Sequence, residues 1–556
     1  MPSPVLLASF ALAALFLLYR TFTRPRPAPS PDGLLDPPAA FYPLPYFGCA
    51  LAYGADPGKF GRENELRHGP IFATKMLGRK ATFVTSAPLI AALYKNSRAA
   101  QHDPIRMEIP IRMFGIAPYA VQHESLPEHG FPLFDKALSF QSVKPLSAAF
   151  SQHFWKRLSA TDALAKTSPG DTVEVKFTRF LFPLVFAATC EVFLGPRFDA
   201  DGSYADFEVF DEQIFKFLAG VPPAMAPAAF KSRARVRDAL IRFLERAWTP
   251  DSAEAHGGYL AGASPLLSEL VGRFHGWKFA TADQAGHLLS IIWGFQPNLV
   301  WTIYWLFLHL LQDASRVARL RAEIDTAMRD VFGGKLDACL GAEPAVFERK
   351  EFALLSSALN ETLRLCGSAT SMRRVVEDFV ITDTQGSSAS AKAAAAEGLP
   401  APAAPAAPVQ YLLRKGEDAY AITRTVHMDP ELYADPESFR IDRFLAEDGT
   451  CSRKFYKAGK HVANNLMGWG GGVSKCAGRY YATHAVKLCV ILMFHHFDIQ
   501  HTANCALSAD ATAGTGTGTG QGLRAYTKPA VPDMDMSRIG MLTAKQDIVL
   551  SLRRRV

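Results

Sequence analysis

The stretch Trp469–Arg479, WGGGVSKCAGR, holds one cysteine in glycine-rich backbone, with a helix-like segment after it. Gly470, Gly471 and Gly472 precede Cys476, and Gly478 follows it. Glycine adopts positive φ without strain and lets main chain lie close against a flat, bulky partner. It also leaves N–H groups free to point at a sulfur, and a helix beginning near Gly478 adds the positive end of its dipole. Such a loop suits a thiolate presented to a metal, and haem iron is one established partner of that kind. A flexible loop around an incidental buried cysteine is the alternative. The run is not a dinucleotide fingerprint, because the glycine spacing and a preceding strand are missing. Nor is it a phosphate-binding loop, since serine rather than glycine precedes Lys475.

The remainder of the chain limits what this loop can serve. A length of 556 residues allows two to four ordinary domains or one large one. A net charge of +7 is too small at this length to indicate a nucleic-acid partner, and none is expected. Eight cysteines without CxxC spacing argue against a disulfide framework or zinc site and for a reducing compartment. Val5–Tyr19 is apolar, with Arg20, Arg24 and Arg26 following rather than preceding it. That polarity predicts a single-pass signal anchor over residues 1–24, with the body on the cytosolic side. Prolines over residues 25–45 read as a stiff linker, and residues 46–556 as one catalytic domain. Two low-complexity inserts, about 386–408 and 513–522, read as disordered loops.

The globular part is mainly helical with short strands, an α+β chain with no βαβ alternation. Lys80–Ser86 and Arg374–Thr382 alternate like strands, while FERKEFALLSSALNETLRL and RYYATHAVKLCVILMFHHF have helical periodicity. Leu288–Leu311 is apolar enough for a second membrane helix. Gln296, Pro297 and Asn298 at its centre instead favour the spine of a large protein core.

Glu361 and Arg364, in the helical ETLR, face the same side at i and i+3. DPESFRIDRF supplies Arg443 shortly before the glycine loop. A helical ExxR, then DPESFRIDRF, then WGxGxxxCxG form a specific ordered set, and the chain resembles the cytochromes P450. The resemblance implies a single large haem domain of that fold, with haem b bound through Cys476 as axial thiolate. It implies that Glu361, Arg364 and Arg443 brace the haem loop, and that Trp469 stands where a shielding phenylalanine is usual. Gly470, Gly472 and Gly478 belong to the same haem-binding stretch. Ser474 stands where many members have a basic propionate partner, so Arg373 is the candidate instead. PLPYFGCALAYGADPGKF, RHGPIF, HMDPELYADPESFRIDRF and DMSRIGML are similar to the branch with sterol and oxysterol 7α-hydroxylases and prostacyclin synthase. The proline-rich and poly-Ala stretches resemble those of fungal members, where secondary metabolism is a common setting.

In the family a long helix crosses the haem with an acid–threonine pair. Here the matching stretch is GFQPN, with Pro297 and Asn298 in those places. Pro297 lacks an N–H, which predicts a kink and an unpaired Trp293 carbonyl. Trp293, Gly294 and Asn298 are therefore the distal candidates, with Ser368–Met372 and Ile539–Leu542 further around the pocket. The resemblance implies a monooxygenase of the endoplasmic reticulum membrane acting on a large apolar sterol, terpenoid or polyketide. NADPH-cytochrome P450 reductase would donate electrons, meeting Lys454, Lys457, Lys460, Lys475 and Arg479. An isomerase of peroxide substrates, needing no reductase, is equally compatible with Asn298. A non-catalytic, membrane-tethered binding protein is the remaining alternative.

Overall fold

A computed structural model describes residues 33–247, 259–368, 370–383, 408–502, 531–538 and 540–555. The N-terminal apolar run, residues 513–522 and nearly all of 386–408 lie outside these. The architecture is mainly helical with small sheets. The helices that place the site are α1 (Ala87–Lys95), α2 (Phe177–Leu194), α3 (Ala200–Glu212), α4 (Thr281–Leu311), α5 (Ala314–Asp330), α6 (Ala353–Cys366) and α7 (Arg479–His496).

Helix α4 is the spine. From Leu299 to Leu311 only Trp301 escapes full burial, so its apolar character is spent on protein core. The helix continues without interruption through Pro297. One helix among the described residues, Phe177–Leu194, is long and apolar enough to cross a membrane, and 67% of it is buried inside the protein.

Every residue of α6 is buried, Glu361 and Arg364 included. Its first-turn amides, which lack intrahelical partners, are met by α5: Leu354 and Leu355 N–H donate to the Glu323 carboxylate at 2.7 and 2.9 Å. Burial pushes that carboxyl up to about 7.

The strands are β1 (Ile71–Met76), β2 (Arg79–Val84), β3 (Ala100–Gln101), β4 (Gly367–Ser368), β5 (Thr370–Val375), β6 (Phe379–Asp383), β7 (Val409–Leu413), β8 (Asp418–Ile422) and β9 (Gly540–Met541). The main sheet has the order β1-β2-β8-β5-β3, with β2 and β8 parallel and the other pairs antiparallel. Arg374–Thr382, expected as one strand, is two. Between β5 and β6, Asp378 accepts the Lys415 N–H at 2.8 Å and Val376 donates to Ala99. The Glu377–Asp378 pair interrupts the apolar alternation and turns the chain. Leu35 bridges to Tyr411 and Ala39 to Ala73, which places this part of the proline-rich stretch in the body of the fold.

Candidate functional site

The cysteine loop is closed by Cys476 N–H donating to the Trp469 carbonyl at 2.9 Å. Gly470 and Gly472 sit at φ 70° and 67°, the left-handed region that disfavours side chains. Gly471 is extended, and what holds it to glycine is space: a Cβ there would stand 2.1 Å from Tyr94 Cε2. Tyr94, on α1, is buried and has little room to retreat. Gly471→Ala should therefore displace loop or ring, at a cost of about 1–3 kcal/mol. Thermal unfolding together with the haem-to-protein ratio of the purified variant would show this; unchanged values for both would contradict the packing argument.

Among the described cysteines, Cys49, Cys190, Cys339, Cys366 and Cys489 are buried, Cys451 is half-buried and Cys476 is exposed. Surrounding protein nevertheless desolvates its sulfur in part, which raises the thiol pKa. The Gly478 and Arg479 amides and the Arg479 charge pull it the other way. A Cβ on Gly478 would stand 3.3 Å from Phe295 Cε1 and 3.9 Å from Cys476 Sγ. The thiol therefore sits close to the middle of α4.

Glu361 holds both arginines. Its carboxylate accepts Arg364 Nε and Nη2 at 2.7 and 2.8 Å and Arg443 Nε at 2.8 Å. Glu361 and Arg364 are fully buried. The remaining guanidinium hydrogens go to main chain: Arg364 to the His427 and Pro436 carbonyls, Arg443 to those of Ala434, Asp435 and Ser438. Three charges are thus converted into fixed points for the 427–443 segment.

The link onward to the cysteine loop is His427, whose Nε2 accepts the Met467 N–H at 2.9 Å. A Cβ on Gly468 would touch Leu363 Cβ at 3.0 Å, so the loop also rests directly on α6. Burial, then the Arg364 and Arg424 charges, push the His427 pKa from 6.5 down to about 3. Because the folded value is depressed, the unfolded chain binds more protons between these limits. The contribution of His427 is present above pH 6.5 and is lost as pH falls toward 3. Replacement by Gln should flatten that acid limb, worth on the order of a few kcal/mol. Unfolding midpoints measured across pH for both proteins would test it; parallel limbs would exclude His427 as the source.

Arg373, on β5, is 4% exposed and forms no ion pair with a carboxylate among the described residues. Its Nη1 donates to Ser371 Oγ and the Met372 carbonyl, and its guanidinium lies 5.4 Å from the Tyr94 ring centre. A buried cation without an anion is costly, and an acidic group brought by a ligand would relieve it.

On α4, Gly294 and Asn298 are exposed while Ile292, Gln296 and Leu299 are buried. Residues i and i+4 share a helix face, so this face opens on accessible space in mid-molecule. Asn298 Oδ1 accepts the Met541 N–H of β9 at 2.9 Å, which leaves its amide nitrogen as the presented group. Trp293 is turned elsewhere: its Nε1–H donates to Asp211 Oδ1 of α3 at 2.7 Å.

An accessible thiol beside a long helix, a close-packed glycine backbone and an unpaired buried arginine fit a flat, dianionic, iron-bearing ligand. The cytochrome P450 family profile matches residues 37–385 and 408–517, skipping most of the Ala/Pro-rich insert. The chain belongs to the cytochrome P450 family. Its cofactor is accordingly a haem held by a cysteine thiolate. It is 25% identical over 498 residues to mouse (Mus musculus) cytochrome P450 7B1, covering 89% of this chain and 88% of that one. To the Chinese hamster (Cricetulus griseus) cholesterol 7-alpha-monooxygenase it is 23% identical over 84% of this chain and 87% of the relative. A retinoic acid-bound cyanobacterial CYP120A1 superposes with TM-score 0.60 at 18% identity, covering 94% of this chain and 100% of that one.

Tyr94, His427 and Asp211 were not legible in the sequence: each is one common residue type whose role comes from a partner distant in the chain. Of the basic surface residues, Lys457 is committed to Asp429 and Glu431, and Arg479 to the Cys476 carbonyl. Lys454, Lys460 and Lys475 are exposed.

Proposed function

We propose that this cytochrome P450 is a haem-thiolate monooxygenase that oxidises a large apolar substrate of sterol type, with Cys476 as the axial ligand. The carrying observation is that Cys476 alone among the described cysteines is exposed, in a loop tied through Met467 and His427 to the buried Glu361–Arg364–Arg443 cluster. Bound haem supplies the activation of dioxygen. The protein's own residues position and shield it. Arg373 would neutralise an acidic group of the cofactor, the glycines would admit its flat face, and the Trp469 carbonyl holds the Cys476 N–H.

On the far side, Asn298 offers an amide N–H as a hydrogen-bond donor over the exposed α4 face, where the family has a threonine, and Pro297 stands in place of the acid. Pro297 deprives the Trp293 carbonyl of its helical donor, which leaves an acceptor near the same face. Together they can order water at the distal side without themselves supplying a proton.

The sterol class rests on the relatives. A membrane anchor at residues 1–24, attachment to the endoplasmic reticulum and NADPH-cytochrome P450 reductase as electron donor complete the proposal. The test is turnover of a sterol panel by purified protein with reductase, NADPH and dioxygen, omitting each in turn. Dependence on all three supports the reading. Conversion of a fatty-acid peroxide with all three absent would replace it with an isomerase.

A further inference from the structure

The contact between Trp293 and Asp211 has no place in haem binding. Asp211 lies in the last turn of α3 and is half-buried. Its Oδ1 is held by the Trp293 indole N–H at 2.7 Å, and Oδ2 has no hydrogen-bond partner among the described residues. The neighbouring cation does not neutralise it by contact. Arg538 donates to the Asp211 and Glu212 main-chain carbonyls at 3.1 and 3.3 Å, and its side chain lies over the Phe215 ring. Phe114 packs on Trp293, with ring centres 5.8 Å apart.

Three elements meet at this carboxyl, and two of them also border the exposed face of α4. Trp293 directly precedes the exposed Gly294. Arg538 lies just before β9, whose Met541 amide is bound by Asn298. Asp211 itself lies in the last turn of α3 against both. Phe114, Phe215 and Trp293 bring aromatic surface to this corner, the charges of Arg538, Glu212 and Glu208 lie near it, and Asp211 holds one carboxyl oxygen free there. Its charged form is disfavoured by desolvation unless a donor reaches it.

We propose that Asp211 is a specificity-determining residue, whose Oδ2 accepts a hydrogen bond from a hydroxyl on an otherwise apolar substrate, with Trp293 and Arg538 as its positioning residues. This rests on the sterol-type reading above and adds which substrates within that class are held. A site built to bind a hydroxyl discriminates strongly against the analogue lacking it, because its own polar group is then left unpaired.

The probes are cholesterol, its 3-deoxy counterpart and the matching 3-ketone, titrated calorimetrically into haem-loaded protein at neutral to alkaline pH. Wild type should bind cholesterol about tenfold or more tightly than the deoxy compound, a difference of about 1.4 kcal/mol. Asp211→Leu should reduce that ratio to near one. In Asp211→Asn the amide oxygen takes over the Trp293 bond and leaves an NH2 donor, so preference should move toward the ketone. A variant that merely loosened the fold would weaken all three ligands alike, and that result overturns the proposal. Equal wild-type affinity for cholesterol and the deoxy compound also overturns it, while leaving the apolar-substrate reading intact. Should wild type bind none of the three, the sterol reading fails and the role of Asp211 with it. If Asp211→Leu does not fold, Asp211→Asn and the wild-type ratio still decide.

Discussion

Cys476→Ala should abolish the thiolate-type ferrous–CO absorption band and reduce oxidation of any substrate to background, while thermal stability of the apoprotein stays within about 1 kcal/mol of wild type. The split between function and stability follows from the contacts. The Cys476 main chain closes the loop through its N–H on Trp469 and its carbonyl under Arg479, and alanine keeps both. What alanine removes is the accessible sulfur. Cys366→Ser is the informative control. Cys366 is fully buried, its sulfur is 3.3 Å from His309 Nε2, and desolvation drives its thiol far upward. Serine there should cost about 1–3 kcal/mol through an imperfectly solvated hydroxyl and leave the absorption band in place. A retained band in Cys476→Ala, or a lost one in folded Cys366→Ser, would move the axial ligand away from Cys476.

The cysteine loop was legible in sequence because its features are local. A thiol meant to meet a flat ligand needs small residues on either side, and Gly470, Gly471 and Gly472 before Cys476 and Gly478 after it match that need within eleven letters. The ExxR pair was legible for a similar reason, since helical spacing alone brings Glu361 to Arg364. Arg443 was placed by its motif, and the structure accounts for it by a 2.8 Å bond to a carboxylate 82 positions earlier.

The distal side was harder to read because its groups act across elements. Asn298 suggested a water-holding amide, yet half of that amide is committed to β9, and the Met541 N–H decides which half. No spacing rule could anticipate a partner 243 residues away. Pro297 suggested a kink, and α4, packed tightly over its last three turns, carries the residue within one continuous helix. Trp293 was selected for its position one turn before Asn298, and its indole instead faces α3.

Glu361→Gln should be the most damaging single change in the protein's structural frame. Glutamine retains one carbonyl acceptor but loses the charge, leaving Arg364 and Arg443 buried without an anion. Breaking a buried ion pair from one side costs about 3–5 kcal/mol, against a total stability of about 5–15 kcal/mol for a typical protein. The loss would not stay local. Arg364 tethers the His427 carbonyl, His427 receives the Met467 N–H, and Met467 lies two residues before Trp469. Loosening the carboxylate therefore loosens the loop that presents Cys476. The expected result is protein that is poorly soluble or, where soluble, retains helical circular dichroism but little haem. Arg443→Lys separates charge from geometry: it keeps the cation but loses the forked donors to the Ala434, Asp435 and Ser438 carbonyls. It should cost less than Glu361→Gln and still lower the haem-to-protein ratio. Wild-type haem content and unfolding midpoint in Glu361→Gln would show that the cluster does not brace the loop. In that case the 427–443 segment is held by its packing against α6 alone.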